Sequence, residues 1–251
     1  MKFQKSKQIH ILRLALFISG GGTTMSAIIE ACKSGKLRKV LPVLVIASNK
    51  DAGGIEKAKK LGISNSDIVV INPKEYKCRE DFGKAILKEC KKRKVNFIGQ
   101  YGFMTLTPRN VIKKYKGHIV NQHPGPLDTG RPDFGGKGMF GLRVHKTRLE
   151  FIRRVKRDYF TEATCHMVTE EFDTGEIVKR KKLIITPKDT TRALQKKLLP
   201  IEHEIQIEAL KDFSEGIVKI YKRKNPLVKN EEEEKILEKC KLIAKRAYPN
   251  G

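Results

Sequence analysis

Hydrophobic positions along the chain fall into short continuous runs separated by stretches with a helical repeat. Leu12-Arg13-Leu14-Ala15-Leu16-Phe17-Ile18 is the first run, and residues 41–47, 67–71 and 95–100 repeat it. Runs this short, apolar at consecutive positions, suit strands buried on both faces of a parallel sheet. Between them, residues 25–33, 52–61 and 79–93 alternate apolar and charged positions at helical spacing, and Gly62 stops the second. This order predicts an α/β fold: a Rossmann-like, mostly parallel twisted sheet with flanking helices.

The pattern changes in the second half. Gly117-His118-Ile119-Val120 reads as the end of a buried strand, which empties into Asn121-Gln122-His123-Pro124-Gly125-Pro126. Residues 128–137 are rich in Gly, Pro and Asp and read as a loop; residues 138–149, with His145, read as a helix. Residues 161–168 alternate like a strand, turn over 170–175 and return over 177–185, an antiparallel hairpin with Asp173 in its tip. A long helix is expected over 191–213 with a break near Pro200, then one more strand over 216–223. Asn230 and Glu233 predict a capping box on a last helix, whose apolar face is Ile236, Cys240, Ile243 and Ala247 with Leu237 and Ala244 beside it. The expected organisation is one domain over 1–215 with an appendage over 216–251.

Composition adds limits. The formal charge is +25, from 53 Lys and Arg against 28 Asp and Glu. The lysines are spread over nearly every helix and the aromatics are few and scattered, so the charge is read as a field favouring small anionic ligands, not a nucleic-acid surface. No apolar run approaches the ~20 residues of a membrane span. The basic start, residues 1–7, is followed by a strand and a glycine loop, not by a signal-peptide cleavage pattern. Cys32, Cys78, Cys90, Cys165 and Cys240 form no C-x-x-C pair, so neither a disulfide framework nor a zinc site is expected. A cytoplasmic protein is expected.

Two segments carry candidate chemistry. Ser19-Gly20-Gly21-Gly22-Thr23-Thr24, between a strand and a helix, can offer backbone N–H groups of Gly21, Gly22, Thr23 and Thr24 to one phosphate. Met25 stands where a dinucleotide fingerprint needs its third glycine, and no acidic residue closes the second strand to hold a ribose. At the other segment, Asn121 and His123 leave a strand on stiff backbone. An amide two residues from an imidazole can polarise a carbonyl and move a proton. Taken alone, these residues are accounted for slightly better by a polar turn with a surface histidine.

Taken in order, these pieces resemble the 10-formyltetrahydrofolate-dependent formyltransferases, from about Leu12 to about Leu210. The glycine loop, Ser48-Asn49-Lys50-Asp51-Ala52, Gly102-Phe103-Met104, Asn121-Gln122-His123-Pro124, Thr164-Cys165-His166-Met167-Val168 and Phe172-Asp173-Thr174-Gly175 carry the resemblance. It implies catalysis by Asn121, His123 and Asp173, with 10-formyltetrahydrofolate as co-substrate and no metal. It further implies folate contacts at Arg79, Phe103, Met104, Leu106 and Asn121, and a ribose contact at Glu202 of Glu202-His203. The glycine loop resembles that of the branch whose acceptor is glycinamide ribonucleotide; a nucleotide-linked amino sugar is the alternative acceptor. Small-molecule substrates and a monomer or homodimer are implied. The glycine loop, residues 102–107 and Asn121–His123 are expected at one carboxyl edge, with Asp173 holding His123 protonated. The chain departs from the family at Thr24 (usually Asn), at Thr105 (usually Arg) and at Gly125-Pro126. It is also longer than usual between Asn121 and Asp173, and its tail beyond Gly216 is unfamiliar.

Overall fold

The computed structural model describes residues 11–251, so the basic stretch at residues 1–7 lies outside the described residues. Strands β1 (Leu12–Ile18), β2 (Val40–Ala47), β3 (Ile68–Val70), β4 (Phe97–Gln100), β5 (Ile119–His123), β6 (Phe160–Met167) and β7 (Ile177–Ile184) form one sheet in the order β3-β2-β1-β4-β5-β6-β7. β1 runs parallel to β2 and β4, and β2 parallel to β3; β6 and β7 are antiparallel. The chain forms two compact units.

The first unit contains residues up to Val120 and Gln206–Lys219. Leu14, Leu16, Phe17 and Ile18 of β1 and Leu44, Val45 and Ile46 of β2 are wholly buried, which explains why their sequences do not alternate. Pro42 has no N–H for the ladder, and the β1–β2 register slips beside it, from Leu14↔Pro42 to Ala15↔Leu44. Helix α1 (Thr23–Lys33) buries Met25, Ile28 and Ile29. Helix α2 spans Gly54–Lys60; α3 (Arg79–Lys92) buries Phe82, Ile86 and Cys90, and the short α4 spans Arg109–Lys114.

The second unit contains Asn121–Ile205 and Ile220–Gly251. Helix α5 (Leu142–Val155) and α7 (Glu231–Ala247) enclose a cluster of Phe134, Met139, Val144, Phe151, Leu227, Leu237 and Cys240. Arg148 of α5 is buried there, its guanidinium 4.8 Å over the Phe134 ring and 4.9 Å over that of Phe160, donating to the Phe160 carbonyl at 2.7 Å. Glu162 of β6 is also wholly buried, paired with Arg180 at 2.7 Å and with Arg223.

Several expected elements shift. α5 starts four residues late and runs to Val155, because Gly138 and Gly141 take positive φ (80° and 53°). The strand expected over 216–223 reduces to one bridge, Ile177↔Tyr221; Arg223 instead turns inward to Glu162 and the Leu127 carbonyl. The break expected near Pro200 does not occur: α6 runs from Thr191 to Glu215 through it. Pro200 and Lys196 are exposed, so water can serve the carbonyl the proline leaves without a donor. Asn230 caps α7 by accepting from Glu233 N at 3.0 Å, but the Glu233 carboxylate accepts from Lys229 N and Arg157 in place of Asn230. The buried stripe of α7 is Leu237, Cys240 and Ala244, with Ala247 exposed.

Candidate active site

In the first unit, β1 delivers the chain into the glycine loop and Gly22 begins α1 with φ 63°. A side chain at Gly22 would bring its Cβ to 2.8 Å from Gly54 Cα, so conformation and contact both require glycine there. Gly20 and Gly21 face open space instead. The N–H groups at the start of α1 have no acidic side chain in the first turn, which leaves this helix end attractive to an anion. Thr23 is exposed, whereas Thr24 is buried.

Ser19 connects this loop to the segment after β4. Its N–H donates to the Gly102 carbonyl at 2.9 Å, and its Oγ accepts from Met104 N at 2.8 Å and from Ser48 Oγ at 2.6 Å. Phe103 turns into the core against Phe17, with ring centroids 5.2 Å apart. Met104 stays 51 % exposed and Leu106 half-buried. The exposed Arg79 donates to the Leu106 carbonyl at 2.9 Å, bracing this loop.

In the second unit, the two-residue period of β5 puts Asn121 and His123 on one face and Gln122 on the other. Asp173 comes from the β6–β7 turn with φ 60°, an uncommon conformation for a residue with a side chain. Gly175 is essential to that turn, since a Cβ there would lie 1.7 Å from the Met167 carbonyl oxygen. The carboxylate meets three side chains. Oδ2 lies 3.5 Å from His123 Nδ1, and Oδ1 lies 3.4 Å from both Asn121 Nδ2 and His166 Nε2. Gly136 N donates to Oδ2 at 2.9 Å. Asn121 Nδ2 is also 3.1 Å from His166 Nε2, while His166 Nδ1 faces the Met167 carbonyl at 2.9 Å. His166 Nε2 thus faces both the Asn121 amide and the Asp173 carboxylate.

Burial is the largest influence on Asp173 and pushes its carboxyl up. His123, His166 and the Gly136 N–H together prevail, holding it down at about 2. For His123 the balance goes the other way: burial lowers its pKa below the ordinary 6.5 despite the pull of Asp173 and Asp133. This corrects the expectation of a resting, protonated His123. Its Nε2 is buried without a hydrogen-bond partner. On the opposite face of β5, Gln122 Nε2 donates to Glu202 of α6, whose carboxyl burial raises to about 7.

Asn121, His123 and Asp173 are therefore brought together, while Glu202 stands with Gln122 behind them on β5. His166, Gln122 and Gly136 were given no role from sequence. His166 had a signal, because Thr164-Cys165-His166-Met167-Val168 is one of the segments that carry the family resemblance; in the structure the Thr164 hydroxyl donates to the Gly125 carbonyl at 2.7 Å. Among the described residues no group of three or more His, Cys, Asp or Glu is arranged to hold a metal ion.

An amide donor and an imidazole at a strand end, backed by a buried carboxylate, suit acyl-group transfer: a donor for a developing oxyanion and a carrier for a proton. The chain belongs to the formyl transferase family, whose sequence profile matches residues 12–210. It is 32% identical over 222 residues to the chloroplastic phosphoribosylglycinamide formyltransferase of Arabidopsis thaliana, covering 88% of this chain and 71% of that protein. The crystal structure of glycinamide ribonucleotide transformylase 1 from Symbiobacterium toebii superposes with a TM-score of 0.73 at 28% identity, covering 86% and 98% of the two chains. The enzyme of that name from Geobacillus kaustophilus gives 0.69 at 30% identity, covering 81% and 99%.

Proposed function

We propose that this protein transfers the formyl group of 10-formyltetrahydrofolate to the primary amine of glycinamide ribonucleotide, a step of purine biosynthesis. The observation that carries the reading is the contact of Asn121, His123 and Asp173 in a chain about one-third identical to phosphoribosylglycinamide formyltransferases. The folate supplies a formyl carbon bonded to N10, and the amine of the acceptor attacks that carbon. Asn121 Nδ2 donates to the oxygen that becomes negative. His123 starts neutral, receives the amine proton at its unpartnered Nε2 and returns it to N10 as the C–N10 bond breaks. Asp173 stabilises the imidazolium while it exists and orients the ring through Nδ1. The balance is one N–C bond formed, one broken, and one proton moved from the acceptor amine to N10; no metal is needed.

The remaining assignments rest on the family resemblance. The acceptor phosphate is assigned to the N–H groups of Gly21, Gly22, Thr23 and Thr24, and its ribose hydroxyls to Glu202. Phe103, Met104, Leu106, Arg79 and Asn121 are assigned to the folate, with exposed Met104 as the adaptable apolar contact. Residues 1–215 are assigned as the formyltransferase domain and 216–251 as its appendage. The protein is assigned to the cytoplasm as a monomer or homodimer acting on small molecules, with neither a membrane nor a nucleic acid as partner. Among the described residues no helix is long and apolar enough to cross a membrane.

The test of the chemistry is turnover by Asn121→Ala, His123→Ala and Asp173→Asn. Each is expected to lose about 10²–10³ in kcat, the cost of removing one oxyanion donor elsewhere, with circular dichroism unchanged. Near-normal turnover in any one of them removes that residue from the scheme.

A further inference from the structure

The loop of residues 128–136 touches Asp173 yet has no part in the steps above. Asp133 closes it: Oδ2 accepts from Asp128 N at 2.7 Å, and Oδ1 accepts from Gly135 N at 2.8 Å. Gly135 lies so close to the carboxylate that an added Cβ would stand 2.7 Å from Asp173 Cβ. The next residue, Gly136, makes the shortest of the hydrogen-bonding and ion-pair contacts to the Asp173 carboxylate, at 2.9 Å. Asp173 itself holds a left-handed backbone conformation, which its own side chain disfavours, so its placement depends on outside contacts.

From these contacts we infer that Asp133 is a positioning residue for Asp173, acting through the Gly136 N–H that its loop presents. The C-terminal segment supports the loop from behind. Leu227 N donates to Asp128 Oδ2 at 3.1 Å, and Arg223 Nε donates to the Leu127 carbonyl at 2.6 Å. Phe134 packs with Leu237 and Cys240 of α7 beneath the Arg148 guanidinium. These tail residues lie beyond the stretch that matches the family, residues 12–210, which gives the unfamiliar tail a task in the site. The charged and titratable groups facing this arrangement are Asp128 and Arg131 in the loop, His123 on β5, His145 on α5, His166 on β6, Arg223 before α7 and Lys241 on α7. The inference rests on Asp173 serving the transfer proposed above.

The experiment measures kcat, KM and the kcat–pH profile of the full chain with Asp133→Ala and Asp133→Asn, each alone and combined with Asp173→Asn. Asp133→Ala is expected to lower kcat about tenfold, the worth of one hydrogen bond to a charged group, with KM for both substrates little changed. The acid limb of the profile moves down, because His123, which must be neutral to take the amine proton, loses the Asp133 charge that favours its protonated form. Asp133→Asn, which keeps one acceptor oxygen, recovers part of the loss. On the residual turnover of Asp173→Asn, Asp133→Ala has no further effect. Where Asp133→Ala does not fold, Asp133→Asn is read by the same criteria. Wild-type kcat and pH profile in a folded variant, or an equal loss in both backgrounds, overturns the inference alone. Full activity in Asp173→Asn overturns the reading of the site and this inference with it.

Discussion

Replacing Glu202 by glutamine is expected to stabilise the unliganded protein at high pH and to leave it unchanged at low pH. Glu202 is 4 % exposed, and burial raises its carboxyl from 4.5 to about 7 against the Gln122 hydrogen bond. At about 1.4 kcal/mol per pH unit, that difference costs about 3 kcal/mol once the group is ionised. The sign follows from proton counting. Between pH 4.5 and 7 the folded chain keeps a proton that the unfolded chain has released, so stability falls as pH rises through this window. Below pH 4.5 both states are protonated, and above 7 the whole penalty is present. Glutamine carries no charge, and its side-chain oxygen can still accept from Gln122 Nε2. Urea unfolding should therefore show equal midpoints for the two proteins at pH 4.5 and a gain of about 3 kcal/mol for Glu202→Gln at pH 8. A gain independent of pH, or a loss at pH 8, would refute the argument from burial. With Glu202 assigned to the ribose hydroxyls as proposed above, the same substitution is expected to raise KM for glycinamide ribonucleotide.

Further expectations concern the glycine loop and the acid limit. Gly21→Asp adds a negative charge where a Cβ meets nothing within 4 Å, so it should raise KM for the phosphate-bearing acceptor at least about tenfold, by charge at a helix start, with folding intact. Steady-state kinetics read this, and an unchanged KM would take the loop out of phosphate binding. Gly22→Asp should also raise that KM, but its Cβ would collide with Gly54, so its thermal midpoint should fall as well, as a melting curve shows. Burial holds His145 down at about 3; its contribution is complete above pH 6.5 and is lost as pH falls toward 3, by roughly 3 kcal/mol at pH 4. His145→Leu should flatten the acid limb of urea midpoints measured from pH 7 to 4; an acid limb identical to wild type would count against this.

What was legible in the sequence was local. The unbroken apolar run of Leu12–Ile18 required a buried strand, the glycines after it a turn into a helix, and the spacing of Asn121 and His123 a shared face. What was not legible depends on contacts between distant segments. Asp173 owes its backbone conformation to a turn that only glycine at 175 permits. His166 meets Asn121 because β5 and β6 are neighbours in the sheet. The charge state of His123 could not be read from its closeness to an aspartate, because burial of the ring outweighs that attraction. Asp133 looked like one more loop residue, and its two backbone acceptor bonds emerge only once the loop is closed. Arg148 carried no signal of its own in the sequence, yet three aromatic rings and two carbonyls hold it inside.

The acceptor is the claim most directly open to measurement. Glycinamide ribonucleotide, a nucleotide-linked amino sugar and methionyl-tRNA are supplied separately with 10-formyltetrahydrofolate, and loss of the formyl group from the folate is followed. Efficient reaction with glycinamide ribonucleotide alone is the predicted result. Efficient formylation of the amino sugar, with glycinamide ribonucleotide inert, would contradict the assignment of acceptor while leaving the transfer chemistry of Asn121, His123 and Asp173 in place.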